Sequence, residues 1–335
     1  KSTRAAFLPM PVFKNISQVL FSFAICSIAF LMPGFPRITG ICIAILFFTW
    51  LTDGGMISKL KSICHQRLPL LFIAVYIVYL LGMLYTSNSA EGTGNIILKI
   101  SMLLFPLIFF APGRLRVPVT RIVMQFFVLG CLLAAVILLS VALYTFFTTG
   151  KDNFTYSDLT RPLNVQPAAF SMYILFGVFA LLLPFLQGEK NHLFISPFLS
   201  GVLLIFFVMM VFLLSARQEI IAFLLLLPAS ILYYFFSRKK WLAGIGISGA
   251  IVAGLLLVVF LIPETKMRLQ KMQAQMDESY SNDAPNSVTM RKVIWQSAME
   301  IISEHPFTGV GTGDVNDALK QQYKKNNLLW PLNDN

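Results

Sequence analysis

The sequence predicts an all-α membrane protein: a polytopic bundle of about nine transmembrane helices with a helical loop region on its outer face. Two observations support this fold class. The 335 residues are 57% hydrophobic and only 12% charged, which is about half the charged fraction of typical soluble domains. The apolar residues also form long runs divided by short polar segments, and most of these runs are long enough to cross a bilayer. The composition excludes an ordinary soluble domain.

Nine apolar runs are predicted to span the membrane. The second, fourth and eighth are short for a membrane span. Residues 1–262 therefore form the predicted transmembrane bundle, and residues 263–335 form a polar region outside it. The nine predicted spans are Ile16–Met32, Ile38–Leu51, Leu68–Tyr85, Ile96–Ala111, Ile122–Phe147, Pro167–Leu186, Leu193–Leu214, Ile220–Phe236 and Trp241–Ile262.

The basic residues predict how the bundle is oriented, because Lys and Arg concentrate on cytoplasmic loops. With the N-terminus inside, the inner segments hold thirteen basic and two acidic residues, and this excess of eleven equals the net charge of +11 of the whole chain. The same orientation places residues 263–335 outside. The high net charge therefore reflects membrane topology, and a nucleic-acid partner is not needed to explain it.

The polar region after the ninth span has its own pattern. Glu264–Met276 is predicted to continue as a helix, and Asp277–Asn286 has the composition of a loop. Ser287 or Thr289 can then cap a helix that runs to about Glu304, before Pro306. The chain ends without a closing span, so we expect the natural loop to continue beyond Asn335.

The predicted helix at 287–304 carries an apolar stripe that includes an arginine. Its members recur at spacings of three and four, so they share one face: they are Val288, Arg291, Trp295, Ala298 and Ile302. Arg291 is therefore predicted to lie within this stripe. The glycine-rich segment Gly309–Gly313 follows, where glycine permits tight turns or close backbone approach. It lacks the Lys-Ser/Thr pair of a phosphate-binding loop.

A second informative arginine, Arg217, lies in the charged interruption Ser215–Glu219 between the seventh and eighth spans. A permanently charged guanidinium at such a tight membrane turn is costly, and residues of this kind usually have a function. The predicted topology puts Arg217 on the outer face, on the same side as Arg291. Arg161, just before the sixth span, is predicted to face the same side.

Three stretches of the chain resemble the O-antigen ligase and polymerase superfamily of bacterial inner-membrane proteins. The first is the Ser-x-Arg turn at Ser215–Arg217. The second is the helix with Arg291 and Trp295, which runs into the HPFTGVG segment at residues 305–311; it is the most specific of the three. The third is Lys99 in the fourth span, followed by the LFPL segment at residues 104–107.

The resemblance implies a fold of about a dozen helices with a large periplasmic loop in the bacterial inner membrane. It also implies a metal-independent, cofactor-free glycosyltransferase that moves a glycan from undecaprenyl diphosphate to an acceptor hydroxyl. In ligases the acceptor is lipid A-core or a similar glycolipid, and in polymerases it is another carrier-linked repeat. The implied partners are the lipid-linked donor, the glycolipid acceptor and membrane lipids.

The resemblance further implies that Arg217 and Arg291 bind the diphosphate, with Arg161 as a candidate third arginine. Arginine suits this role because its planar fork binds phosphate oxygens bidentately and stays charged when desolvated. The family's catalytic base is a histidine after the glycine-rich segment, so we expect it beyond residue 335. His305 belongs to the helix end and is not assigned as the base. A metal is not expected, since the outer face has no paired-carboxylate motif beyond Asp314 and Asp317.

Each residue also has a structural explanation. Arg217 could snorkel to the interface or pair with Glu219, and Arg291 could reach Asp283. Arg161 could be a solvated loop residue, and Lys99 could snorkel from its span. At the level of function the ligase is favoured, and the alternatives are a polymerase or a non-enzymatic lipid-glycan flippase or transporter. A transporter would commonly show midplane charges and internal repeats, whereas here most spans are uncharged and no repeat is evident.

Overall fold

A computed structural model shows only helices, turns and irregular segments in the part of the chain it describes, residues 11–52, 54–110, 117–187, 196–214, 216–261, 287–326 and 328. The helices in these ranges are numbered here in chain order. They are α1 Pro11–Leu31, α2 Pro36–Thr52, α3 Met56–Cys64, α4 Arg67–Gly82, α5 Ser89–Lys99, α6 Ser101–Phe109, α7 Val117–Thr149, α8 Tyr156–Thr160, α9 Pro167–Gln187, α10 Pro197–Leu214, α11 Arg217–Ser237, α12 Trp241–Leu261, α13 Ser287–Glu304 and α14 Val315–Lys325.

The helices belong to two compact units. Unit 1 consists of Lys1–Gly54 and Leu115–Thr265, and unit 2 consists of Gly55–Arg114 and Lys266–Asn335. Unit 1 therefore contains α1, α2 and α7 to α12. Unit 2 combines α3 to α6 with the polar helices α13 and α14, which come from the other end of the sequence.

The core of unit 1 is built on α7 and α9. Helix α7 packs against α1 and α9, and α9 packs against α10 and α11. Leu138, Phe170 and Phe207 are fully buried in this core. Gly130 allows the close approach of α7 to α1, since a Cβ there would overlap the carbonyl group of Phe30. Small residues at helix crossings are the usual means of close packing between membrane helices.

Local sequence explains several helix ends. Pro167 and Pro197 begin α9 and α10, where the fixed φ of proline suits the first helical residue and its missing N–H costs nothing. Gly150 follows α7 with φ +68°, and its N–H donates to the Phe146 carbonyl at 2.9 Å. This left-handed glycine is a common helix C-terminal signal.

The span prediction agrees with the structure in position, and the count of nine stays a prediction. In the described residues, five helices are long and apolar enough to cross a membrane, or up to seven if each of two bent helix pairs is one span. Two further apolar helices are shorter. The nine predicted spans coincide in order with the short helix Val19–Leu31, the pair Pro36–Thr52 and Met56–Cys64, Arg67–Tyr85, Ser89–Phe109, Thr120–Thr149, the pair Tyr156–Leu163 and Pro167–Leu182, Pro197–Leu214, Gln218–Ser237, and the short helix Trp241–Gly254.

The fourth span starts earlier than the apolar run predicts, at Ser89 rather than Ile96. Its first two turns are polar, so hydropathy alone does not detect them. Asn88 explains the start, because its side-chain oxygen accepts the N–H of Glu91 at 3.2 Å as a helix cap. Lys99 consequently lies near the middle of the candidate span Ser89–Phe109, which α5 and α6 form together.

Candidate functional site

Arg217 and Arg161 both lie in unit 1, next to residues of one hydrophobic core. Arg217 is the first residue of α11, after Ala216 with its extended ψ of 117°; its side chain lies outside the described part of the structure. Arg161 is exposed and begins a short 3₁₀ turn before α9. The flanking residues Leu159, Val165, Leu214 and Ile220 all belong to the core cluster. The core therefore fixes the backbone at both arginines.

Glu219 is a buried carboxylate in the first turn of α11. Its side chain is only 8% exposed, and its Oε2 has no hydrogen-bond partner among the described residues. The N-terminal turn of a helix favours a negative charge because the helix dipole is positive there. Glu219 lies two residues after Arg217, and the helix dipole at this turn offsets only part of the cost of burying its carboxylate.

Arg291 lies in unit 2 on α13, which begins at Ser287 and ends at Glu304 as predicted. The protein does not bury this stripe, because Arg291, Trp295 and Ile302 are all exposed. The buried positions are instead Val293, 3% exposed, and Ser297, 1% exposed. Spacing identifies residues that share a face, but it does not say which face the protein covers. Asp283, the alternative partner of Arg291, lies outside the described residues.

Helix α14 packs against α13 and was not predicted from the sequence. Glu300 accepts hydrogen bonds from Gln322 at 2.7 Å and Asn326 at 2.8 Å, which lower the pKa of its carboxyl group. Lys325 pairs with Glu304 at 3.2 Å. The sequence signal that could have revealed α14 is the recurrence of Ala318, Leu319, Gln322 and Tyr323 along one helical face. In the structure the last two of these are buried.

The glycine-rich segment binds the turn between α4 and α5 through Thr312, Gly313 and Asp314, which we call the TGD segment. At the end of α4, the Thr312 hydroxyl donates to the Tyr79 carbonyl at 2.7 Å, and the Thr312 N–H donates to the Gly82 carbonyl at 3.2 Å. These carbonyls belong to the last turn of α4, where helical partners run out. Thr312 therefore caps the C-terminal end of α4.

Asp314 binds the other side of the same turn. Its two carboxylate oxygens accept the backbone N–H groups of Ser87 and Asn88, each at 2.7 Å. These hydrogen bonds, mainly that from Ser87, hold the pKa of Asp314 below its ordinary value. Asp317 also accepts a hydrogen bond from the Asn88 side chain at 3.3 Å. In the sequence, Asp314 and Asp317 were the nearest approach to a metal-binding pair. In the structure both contact the start of α5.

Gly313 fits between these contacts because it has no side chain. Its N–H donates to the Thr86 hydroxyl at 2.8 Å. A Cβ at this position would overlap the Asn88 carbonyl oxygen and lie 2.8 Å from the Gly92 nitrogen. Gly311 has φ +97°, a conformation that favours glycine. The glycines thus allow close backbone approach, one of the two roles that the sequence predicted.

Two neighbouring depressions in unit 2 surround the end of α13. An apolar cavity of about 330 Å³ lies between α4 and α13, with Val78, Ala298 and Ile302 in its wall. A polar cleft of about 570 Å³ lies between α13 and α14, lined by groups such as Glu304, Asp317 and Lys324. His305 is exposed and lines both. Together they offer apolar and hydrogen-bonding surfaces side by side.

Lys99 has a defined partner within its helix bundle. Its ammonium group lies 4.6 Å from the centre of the Tyr79 ring, which allows a cation–π interaction. Tyr79 is also the residue whose carbonyl binds Thr312. Lys99 therefore contacts the helix that the TGD segment caps.

The lowered pKa of Asp314 predicts how stability depends on pH. A carboxylate whose pKa falls on folding contributes stability above the unfolded pKa near 4, and this contribution disappears as the pH falls through the folded value. The variant Asp314→Asn cannot titrate here. We expect the wild type to melt at a higher temperature than Asp314→Asn at pH 7. The difference should shrink steadily below about pH 4.

The matched control is Asp158→Asn, which removes an exposed aspartate on α8. The melting temperatures of purified wild type, Asp314→Asn and Asp158→Asn are compared from pH 7 to pH 3. A difference between wild type and Asp314→Asn that is constant across this range would contradict the assignment of the ionised carboxylate as acceptor for Ser87 and Asn88.

Comparison with known families gives a match in the C-terminal part of the chain. Residues 201–333 match a family model, Wzy_C, described as O-antigen ligase. The matched range contains Arg217, Arg291 and the TGD segment, whereas Arg161 and Lys99 lie before it. No curated protein and no solved structure matches the chain.

Proposed function

Because residues 201–333 make this chain a member of the O-antigen ligase superfamily, we propose that it transfers a glycan from undecaprenyl diphosphate to an acceptor hydroxyl. The proposed acceptor is lipid A-core or a similar surface glycolipid, and the reaction takes place at the periplasmic face of the bacterial inner membrane. The observation that carries the proposal is the family match, which spans both Arg217 and Arg291. The membrane-spanning helices agree with a substrate that is itself a membrane lipid.

The proposed reaction is a substitution at the sugar. The acceptor oxygen forms a bond to the anomeric carbon, and the bond from that carbon to the phosphate oxygen breaks. Undecaprenyl diphosphate leaves with the electron pair, and the hydroxyl proton passes to a base. Because negative charge grows on the leaving group, fixed cations aimed at its phosphates stabilise the transition state.

In this proposal Arg217 and Arg291 supply those cations, with Arg161, which lies before the family match, as a third candidate. The exposure of Arg291 and Arg161 is compatible with contact to a substrate headgroup. The TGD segment has a supporting role, since it fixes the loop that follows α13 onto α4 and α5. The arginines can act without a metal, which is why we propose a metal-independent transfer.

The polymerase is the second candidate, because the same family description and the same arginines fit a reaction between two carrier-linked repeats. A flippase could also use arginines for the diphosphate but would form no new glycosidic bond. The three functions differ in the intermediate that accumulates when the protein is lost.

The test is deletion of the gene, complemented by the full-length protein, with analysis of lipid-linked and surface glycans. Loss of a ligase leaves long polymer on the carrier and none on the surface glycolipid. Loss of a polymerase leaves single repeats attached to the glycolipid. Loss of a flippase leaves carrier-linked repeats on the cytoplasmic side, and that outcome would refute the proposed bond chemistry.

A further inference from the structure

Helix α13 carries an exposed apolar face opposite its buried side. Trp295, Met299 and Ile302 are 75%, 67% and 58% exposed, and they follow one another at spacings of four and three. Phe307, just after the helix, is 99% exposed. We call these four residues the apolar face of α13. Such a cluster on a polar segment points to an apolar environment outside the described contacts.

The opposite side of α13 is already occupied. Val293 and Ser297 are buried there, and Glu300 and Glu304 hydrogen-bond to α14. Helix α14 is polar and can contact water. Helix α13 therefore has two different sides: one packs on a polar partner, and the other exposes large apolar groups. This is the pattern of a helix that lies in a membrane interface.

The apolar face is continuous, through Ile302, with the exposed apolar surface of a helix that is long and apolar enough to span a membrane. Val78 of the spanning helix Arg67–Tyr85 is 66% exposed and forms the wall of the same cavity as Ile302. Leu84, near the end of that span, is 81% exposed. The Tyr85 hydroxyl donates to the Thr308 carbonyl, so the segment after α13 is attached at the end of the span. This attachment places the C-terminal end of α13 next to the end of the helix Arg67–Tyr85.

We propose that α13 lies in the headgroup region of the leaflet in which the span Arg67–Tyr85 ends, with its apolar face turned into the lipid. Trp295 suits this depth because indole rings favour the boundary between lipid and water. The partner is the bilayer itself, and the inference does not depend on glycan transfer. If the proposed function also holds, this placement puts Arg291, one turn before Trp295, at the level of a carrier diphosphate.

The experiment measures the depth of single spin labels on the full-length protein in lipid nanodiscs. Cys26, Cys42, Cys64 and Cys131, all free thiols, are first replaced, and the melting temperature of this background is compared with wild type. Labels then replace Met299 and Phe307. Gln296 on a polar side of α13 and Gln321 on α14 serve as matched controls, since both are exposed.

Labels at Met299 and Phe307 should collide with oxygen, which concentrates in lipid, more often than with a water-soluble nickel complex. The control labels should show the reverse ratio. High nickel accessibility at both test positions would mean that the face contacts water and would overturn the proposal. Protection from both reagents would mean that a protein surface covers the face, which also overturns it. The label at Phe307 remains informative if other variants unfold, because this side chain is almost fully exposed.

Discussion

Replacing Arg217 or Arg291 with alanine is expected to lower glycan transfer by about 100-fold or more, because each change removes a fixed cation from a developing charge. We expect the same amount of each variant to insert into the membrane, since Arg217 begins its helix and Arg291 is exposed. Transfer to the surface glycolipid is measured in cells that produce equal amounts of each full-length variant. Arg161→Ala should have a smaller effect, as Arg161 lies outside the family match.

Two further variants sharpen this prediction. Arg→Lys at position 217 or 291 retains the charge but loses the bidentate fork, so transfer should be only partly restored. Arg238→Ala is the matched control. This arginine directly follows α11, its guanidinium lies 4.6 Å from the centre of the Tyr234 ring, and it is predicted on the inner face. If the two arginines bind one diphosphate, the double alanine variant should lose less than the product of the single losses. Normal transfer in both single alanine variants would refute the diphosphate role.

Replacing Gly313 with alanine is expected to detach the TGD segment from the turn between α4 and α5. The added Cβ would overlap backbone atoms of Asn88 and Gly92, and backbone cannot move aside as a flexible side chain can. Overpacking of this kind costs on the order of 3 kcal/mol. Both a lower melting temperature and a loss of transfer should follow, although no proposed diphosphate ligand has been changed.

Gly94→Ala is the control for the Gly313 variant. Gly94 lies on α5, and a Cβ there would meet nothing within 4 Å. Alanine should leave stability unchanged or raise it by about 0.5–1 kcal/mol, the difference between the two residues within a helix. If Gly313→Ala melts at the same temperature as Gly94→Ala, the close approach at the TGD segment is not important for stability.

Sequence patterns were sufficient for the parts of the fold that depend on local composition. Long apolar runs predicted where each of the nine apolar segments lies. The candidate caps Ser287 and Thr289, together with Pro306, predicted the range of α13, which is Ser287–Glu304. The early start of the fourth span was missed because its first turns are polar. Helix α14 was missed because its few buried residues stand among lysines and amides.

The roles of Arg217 and Arg291 stay predictions. The sequence singled them out because a guanidinium is rare between apolar runs and in an apolar stripe, and the family match covers both positions. The exposure of Arg291 was not predicted. In a membrane protein an apolar stripe can face either lipid or protein, so periodicity alone cannot decide which side of α13 is buried.

The sequence by itself determined the class of protein, the order of its apolar segments and its resemblance to O-antigen ligases, because composition and short motifs carry that information directly. Only the tertiary structure decided that the TGD segment caps the turn between α4 and α5. The Asp314 and Ser87 partners are separated by 227 residues, and no local pattern marks them as a pair. Contacts of this kind depend on how the chain returns to itself, so the role of Gly313 and the exposed face of α13 became visible only in the folded molecule.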